Sequence, residues 1–330
     1  MREGLAVSAY ILRRVLSSLA VILLVSVFVF AAINAQKGSV IEANIAGSGL
    51  VSANELEALR HELKLDRNPV ERYLSWWHDM IFGCSRNESV CYANSLQARG
   101  VSIWRSVGDA LPNTAELLIY GMAMSLLVAV PIGVLSAVHQ DTLLDDVLRL
   151  IAILGLAVPT FFLGTLIVIY GSRWFSYAPP TRIPYIWSDP LRNLKAFFPS
   201  AFLLGLSLGA VTMRMTRSAL LEVLRQDYVR TARAKGLGER SVVLRHAFRN
   251  SAIPVLTIVG NQAGFLLGGS VIVESIFNIS GIGLLAFKSI SNHDYTQVLA
   301  TTLVLTLGVV AINLIVDLLY AAIDPRVRYA

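Results

Sequence analysis

Charge is what this chain has least of. Only 15% of its 330 residues are charged, against 55% hydrophobic residues and a mean hydropathy of +0.61. That mix excludes an ordinary soluble domain and identifies an integral membrane protein. Cysteine is nearly absent: Cys84 and Cys91 are the only two, too few for a disulfide scaffold or a cysteine-rich metal module. The five histidines, His61, His78, His139, His246 and His293, are scattered without HExxH spacing, so no metal site is expected. No Gly-x-Ser-x-Gly elbow and no evident acid–base carboxylate pair is present. The nearest approach to a phosphate-binding loop, Gly283 to Ser289, lacks the glycine before Lys288, so no nucleotide site is expected in this chain. The chain shows no internal repeat and no low-complexity segment.

What the chain does have is apolar runs of spanning length. These are Val15 to Ile33, Leu117 to Val138, Leu150 to Tyr170, Phe197 to Met213, Ile253 to Ile276 and Val298 to Ile323, each near the roughly 20 residues a bilayer requires. The first is longer than a signal-peptide core and no small-x-small cleavage site follows, so it reads as a retained span. Pro131 and Pro159 fall inside runs and predict kinks.

Six spans put both termini on one side, and the basic residues choose it. From Thr212 to Ala252 the chain carries nine arginines and lysines against Glu222, Asp227 and Glu239, which makes this connection cytoplasmic; Arg2, Arg13, Arg14, Arg326 and Arg328 agree. Within it, Asp227 to Pro254 is polar and basic yet rich in helix formers, interrupted at Gly236-Leu237-Gly238. This predicts two short helices joined by a glycine elbow. Such a stiff exposed element suits docking to another protein; a solvated, positively charged connector is the alternative.

Asn34 to Thr114 is an outward segment of about 80 residues, too long for a mere connector. Ser52 and Glu55 form a capping box for a helix through Leu63, and Asn68, Pro69 and Glu71 start a second through Phe82. The second carries Tyr73, Trp76, Trp77, Met80 and Ile81, an aromatic face for the bilayer surface or the bundle. A bridge between Cys84 and Cys91 is expected in this exported segment, and would contribute roughly 2.5 kcal/mol on the chain-entropy account; two free thiols are the alternative. Asn87-Glu88-Ser89 matches a glycosylation sequon.

Glu274 and Asp317 lie in or at apolar runs, with Asn313 one turn before Asp317. Acids placed there should face the bundle interior, either as structural hydrogen bonds or as an ion relay. The relay reading would make the chain an ion-coupled secondary carrier; a membrane scaffold without transport is a further alternative.

Several stretches together resemble one family. Thr231-Ala232-Arg233-Ala234-Lys235-Gly236, followed by Arg249-Asn250-Ser251-Ala252-Ile253-Pro254, is similar to the EAA-type coupling motif in the dipeptide and oligopeptide permeases of ATP-binding-cassette (ABC) importers. Arg217 to Leu224 leads into it; Gly268-Gly269, Glu274 to Phe277, Gly281 to Gly283, Val316 to Tyr320 and Asp324-Pro325-Arg326 follow it. Leu111 to Thr114 and Pro159-Thr160-Phe161 match as well, so the likeness runs from Leu111 to the C terminus and, more loosely, takes in the first span.

The resemblance implies an all-α integral membrane protein: a type I ABC permease core of six transmembrane helices, with a long extracytoplasmic segment between the first two. The implied division is 1–33 (N-terminus and first helix), 34–110 (outward segment), 111–321 (permease domain, coupling helices at about 227–250) and 322–330 (cytoplasmic C-terminus). It implies small peptides as substrate, with nickel, glutathione or another small polar solute as alternatives in the same family. The implied partners are a homologous second permease subunit, two ABC ATPase subunits that bind ATP and Mg, and an extracytoplasmic substrate-binding protein, in a bacterial or archaeal cytoplasmic membrane. No catalysis, no cofactor in this chain and no nucleic acid are expected. Asp227, Thr231, Ala232, Arg233, Ala234, Lys235, Gly236 and Leu237 are carried over as the ATPase-coupling contact, with Arg240 and Arg245 as further charge contacts. The chain departs from the family at Ala35 to Ser39, where a Pro-Gly-Asp-Pro motif is usual, and at Ser280, where proline is frequent.

Overall fold

The computed structural model describes residues 2–34, 67–83, 91–95, 101–292 and 294–323. The Ser52–Leu63 helix, the sequon, Cys84, the departure at Ala35 to Ser39 and the C-terminal residues from Asp324 lie outside them. The described residues are helical apart from turns, irregular connections such as Ser176 to Asp189, and one isolated bridge between Asn94 and Ser102. We number the helices α1 (Arg2–Asn34), α2 (Pro69–Phe82), α3 (Ile103–Val138), α4 (Leu143–Ala157), α5 (Thr160–Phe175), α6 (Pro190–Leu224), α7 (Asp227–Ala234), α8 (Glu239–Ile276), α9 (Ile282–Ser291) and α10 (Tyr295–Ile323).

Five of these, α1, α3, α6, α8 and α10, are long and apolar enough to cross a membrane, and the bent pair α4–α5 makes a sixth span if it counts as one. Each expected apolar run sits within one of these spans. The third differs in form: it is not a single rod but is bent by 97° between α4 and α5. The cause is local. Pro159 pushes Val158 out of the helical region to φ −86°, ψ 124°, and cannot itself donate to the preceding turn. Pro131, Pro199 and Pro254 by contrast lie within continuous helices. The fourth run is the visible part of a longer helix, because α6 extends through the polar residues on both sides of Phe197 to Met213.

The chain divides into two compact units. The first comprises Met1–Ile11, Asn113–Ser280 and Gly308–Ala330. Lipid offers no hydrophobic drive for helix association, so close approach and polar contacts hold such helices together. At Gly133 of α3 a Cβ would stand 2.7 Å from the Met213 carbonyl oxygen of α6, and at Gly260 of α8 one would stand 2.5 Å from Val316 Cγ1 of α10. Between α6 and α8, Thr212 Oγ1 donates to Gln262 Oε1 at 3.1 Å and Gln262 Nε2 donates to the Leu208 carbonyl at 3.3 Å. Asn193, fully buried, donates to Glu116 Oε2 at 2.6 Å and accepts from Tyr120 Oη at 2.9 Å.

The second unit comprises Leu12–Pro112 and Gly281–Leu307. Its core joins Phe30, Trp76, Met80, Ile103 and Ile282. The aromatic face of α2 packs against the first span: Trp76 is buried, Tyr73 meets Phe30 edge-on at 5.3 Å, and Tyr73 Oη bonds Ser26 Oγ at 2.8 Å. Ile81 falls on the other side of α2 and is exposed. Buried Asp79 accepts from the Tyr92 amide at 3.1 Å. Asp294 caps α10 through the Gln297 amide and receives the Ser95 hydroxyl. Cys91 is buried and is not a free thiol.

Candidate functional site

The basic stretch forms an elbow, and its construction follows from its residues. The eight-residue helix α7 leaves α6 after only Arg225 and Gln226. It ends where Gly236 takes φ +77°. There the Gly236 amide donates to the Arg233 carbonyl at 2.9 Å and the Leu237 amide to the Ala232 carbonyl at 3.4 Å. This is the Schellman closure that a glycine in the left-handed region permits. Gly238 then starts α8, accepting from the Ser241 and Val242 amides.

The inner side of the elbow is a small apolar core of Val229, Ala232 and Val242, packed against Val223 and Leu224 of α6. Across the bend Arg233 grips Glu239 with both arms of its fork, Nη2 to Oε1 at 2.6 Å and Nε to Oε2 at 3.1 Å. This contact holds the Arg233 pKa above its usual value. Asn250 Nδ2 donates to Tyr228 Oη at 2.7 Å, tying α7 to α8 a second time. The outer side is exposed and mixed: Tyr228, Leu237 and Leu244 stand among Arg230, Lys235, Arg240 and Arg245. A rigid, cationic ridge with apolar points on it suits a protein partner.

Of the residues expected at a coupling contact, Asp227, Thr231, Arg233, Ala234, Lys235, Gly236, Leu237, Arg240 and Arg245 are exposed on this elbow. Ala232 is not: it is turned inward and helps to hold the bend. The expectation of two short helices is corrected. After Gly238 the chain enters α8, a single element running to Ile276, which passes through a stretch of π-helix at Val242–Ala247. Val242, Val243 and Ala247 are buried there, so packing carries the helix on into the apolar run.

Glu274 is fully buried and accepts from Thr114 Oγ1 at 2.9 Å, while Asp317 on α10 is half-buried. The structure does not bring the two together. Val316 lies against Gly260, and Glu274 is fourteen residues further along α8, a separation of about 20 Å at the helical rise. Among the described residues no cluster of three or more histidine, cysteine or acidic side chains could hold a metal ion.

A buried ion pair near the elbow was not among the expected sites. Asp145, fully buried near the start of α4, accepts Arg217 Nε at 2.8 Å and Nη2 at 2.6 Å, together with the Ser136 hydroxyl and the Asp141 amide. Arg217 reads in sequence as one more loop cation, and a span placed from Leu150 leaves Asp145 outside it. No local signal singles out the pair: Arg214 stands three residues before Arg217 and Asp146 follows Asp145 directly.

Two family models match the chain. One, described as binding-protein-dependent transport system inner membrane component, covers residues 129–329, and its N-terminal companion covers residues 7–118. The glutathione transport system permease protein GsiC of Shigella boydii is 34% identical over 327 residues, spanning 97% of this chain and 99% of the relative. The oligopeptide transport system permease protein AppB of Bacillus subtilis is 32% identical over 324 residues, spanning 98% of this chain and 100% of the relative. Among solved structures, a chain of the MetNI methionine ABC transporter in inward-facing conformations superposes with a TM-score of 0.57 at 14% identity, covering 67% of this chain and 98% of that one.

Proposed function

Because this chain belongs to the family of inner membrane components of binding-protein-dependent transport systems, we propose that it moves small peptides into the cell as one permease subunit of an ABC importer. The chain is a multi-pass membrane protein of that importer class. Its role is conduction, with hydrolysis left to its partners: two ATPase subunits hold ATP and Mg in the cytoplasm, a homologous permease completes the pathway, and an extracytoplasmic binding protein delivers substrate. Both termini then face the cytoplasm, in keeping with the basic residues on the α6–α8 connection.

The elbow is the observation that carries this reading. Its outer residues offer an ATPase cleft a cationic ridge, while Val229, Ala232 and Val242 fasten it to α6 and the Arg233–Glu239 fork holds its angle. Closure of two ATPase subunits on ATP would displace the ridge as one body, and α6 and α8, which continue from it, would carry the displacement into the membrane. Alternating access follows if the two ends of the pathway open in turn. Peptides are favoured as cargo by the AppB relationship; glutathione, itself a tripeptide, is the variant favoured by GsiC.

The test is recovery of the transporter from native membranes through a tag on this chain, followed by growth on defined peptides with and without it. A stoichiometric ATPase should co-purify, and growth on peptides should depend on the chain. Recovery of the chain with no ATPase, together with uptake abolished by an uncoupler while ATP is maintained, would favour a secondary carrier and overturn the proposal. Dependence restricted to glutathione would reassign the cargo alone.

A further inference from the structure

Three separate segments converge on the Asp145 carboxylate. Ser136 reaches it from the last turns of α3, the Asp141 amide from the connecting turn at 3.2 Å, and Arg217 from α6 with two bonds. Asp141 itself stands at φ +61°, in the left-handed region that aspartate enters more readily than most side chains, and so turns the chain between α3 and α4. An arginine fork on a carboxylate fixes angle as well as distance, and a fully buried carboxylate has no water to take its partner's place.

The clamp also lies beside the elbow. Gln140, in the turn that Asp145 holds, lines one small cavity with Leu224, Arg225, Arg233 and Glu239. Arg217 precedes Leu224 by seven residues on the same helix, about 10 Å. Val223 and Leu224 pack both on the elbow core and on the cluster of Ala137, Leu220, Val243 and Ala247. A displacement of the elbow therefore meets α6 first, and at Arg217 it meets α4, the leading half of the bent span.

We propose that Asp145, through Arg217, is a positioning residue of the transport cycle: the pair makes the start of α4 move with α6, so that motion at the elbow reaches the bent α4–α5 span. Apolar contact alone would let the helices slide past one another. The clamp removes that freedom at one point. This inference rests on the permease reading above.

The experiment uses the whole transporter, reconstituted in vesicles with its partner subunits and binding protein, and reads substrate imported per ATP hydrolysed for Asp145→Asn, Arg217→Gln and Arg217→Lys. With Asp145→Asn and Arg217→Gln, hydrolysis should continue while uptake per ATP falls about tenfold, the size of a typical coupling between sites. Arg217→Lys, which keeps the charge and loses the fork, should fall between. A structural role alone would lower yield and both rates together, so an unchanged ratio in assembled Asp145→Asn or Arg217→Lys complexes overturns the inference. A second measurement covers failure to assemble. Spin labels at exposed Arg149 and Glu222 of the otherwise unaltered complex should keep their separation between nucleotide-free and ATP-bound states; a change beyond the ~2 Å of ordinary helix shifts overturns the inference whatever the variants do. Absence of any ATPase with the unaltered chain would instead remove the permease reading, which separates the two failures.

Discussion

Gly236 permits a prediction whose magnitude can be worked from its surroundings. A Cβ added there meets nothing within 4 Å, so no neighbour resists a side chain. The whole penalty is in the backbone, which stands at φ +77° to close the Schellman turn. For an ordinary L-residue the left-handed region costs roughly 1–2 kcal/mol, more for a β-branched one, and little for asparagine. If the bend is lost in that proportion, the population able to dock an ATPase falls by about 5- to 30-fold in Gly236→Ala. Gly236→Val should fall further, and Gly236→Asn should remain near the original. The assay is retention of the ATPase on the tagged complex and ATP-driven uptake in vesicles. Wild-type behaviour in Gly236→Val would refute the reasoning. So would a Gly236→Asn variant as defective as the valine one, since that would mean the side chain, not the backbone, is what the site rejects.

Other expectations follow from the same geometry. Gly133→Ala should lower thermal stability in detergent by about 1–3 kcal/mol, because its Cβ would meet a carbonyl oxygen of α6 at 2.7 Å and a backbone cannot rotate aside. Gly260→Ala meets a side chain instead, so Val316→Ala in the same chain should restore most of the loss; failure of that rescue in a thermal melt would mean the contact is not the cause. Glu239→Gln should cost less than about 1 kcal/mol in the same melt, since both partners of the Arg233 pair are about half-exposed. A mass map under non-reducing conditions should find Cys84 bridged to Cys91, and detection of both as free thiols would remove the bridge.

Much of this architecture is written in local pattern. The five long spans and the bent pair are apolar runs of bilayer length, the break at Val158 falls at one of the prolines the pattern offers, and the turn at Gly236 follows from a glycine ending a helix-forming stretch. Residues close in sequence settle such features among themselves. The aromatic face of α2 was legible as a face, but its two possible destinations were not separable until Trp76 and Tyr73 were seen against Phe30.

What the tertiary structure decided was which distant residues meet. Arg217 is one of nine basic residues between Thr212 and Ala252, and composition cannot distinguish it from the others. Only the packing of α4 against α6 brings Asp145, 72 positions away, within 2.6 Å of it. Likewise Ala232 belongs to the same motif as its exposed neighbours, and becomes an inward residue because Val242 returns on the far side of the bend. Glu274 and Asp317 look alike as intramembrane acids, yet the helix pairing sets them at different depths. Hydropathy and backbone preference act over a few residues and so survive in the linear pattern, whereas a hydrogen bond between helices depends on rotation and register that no short segment encodes.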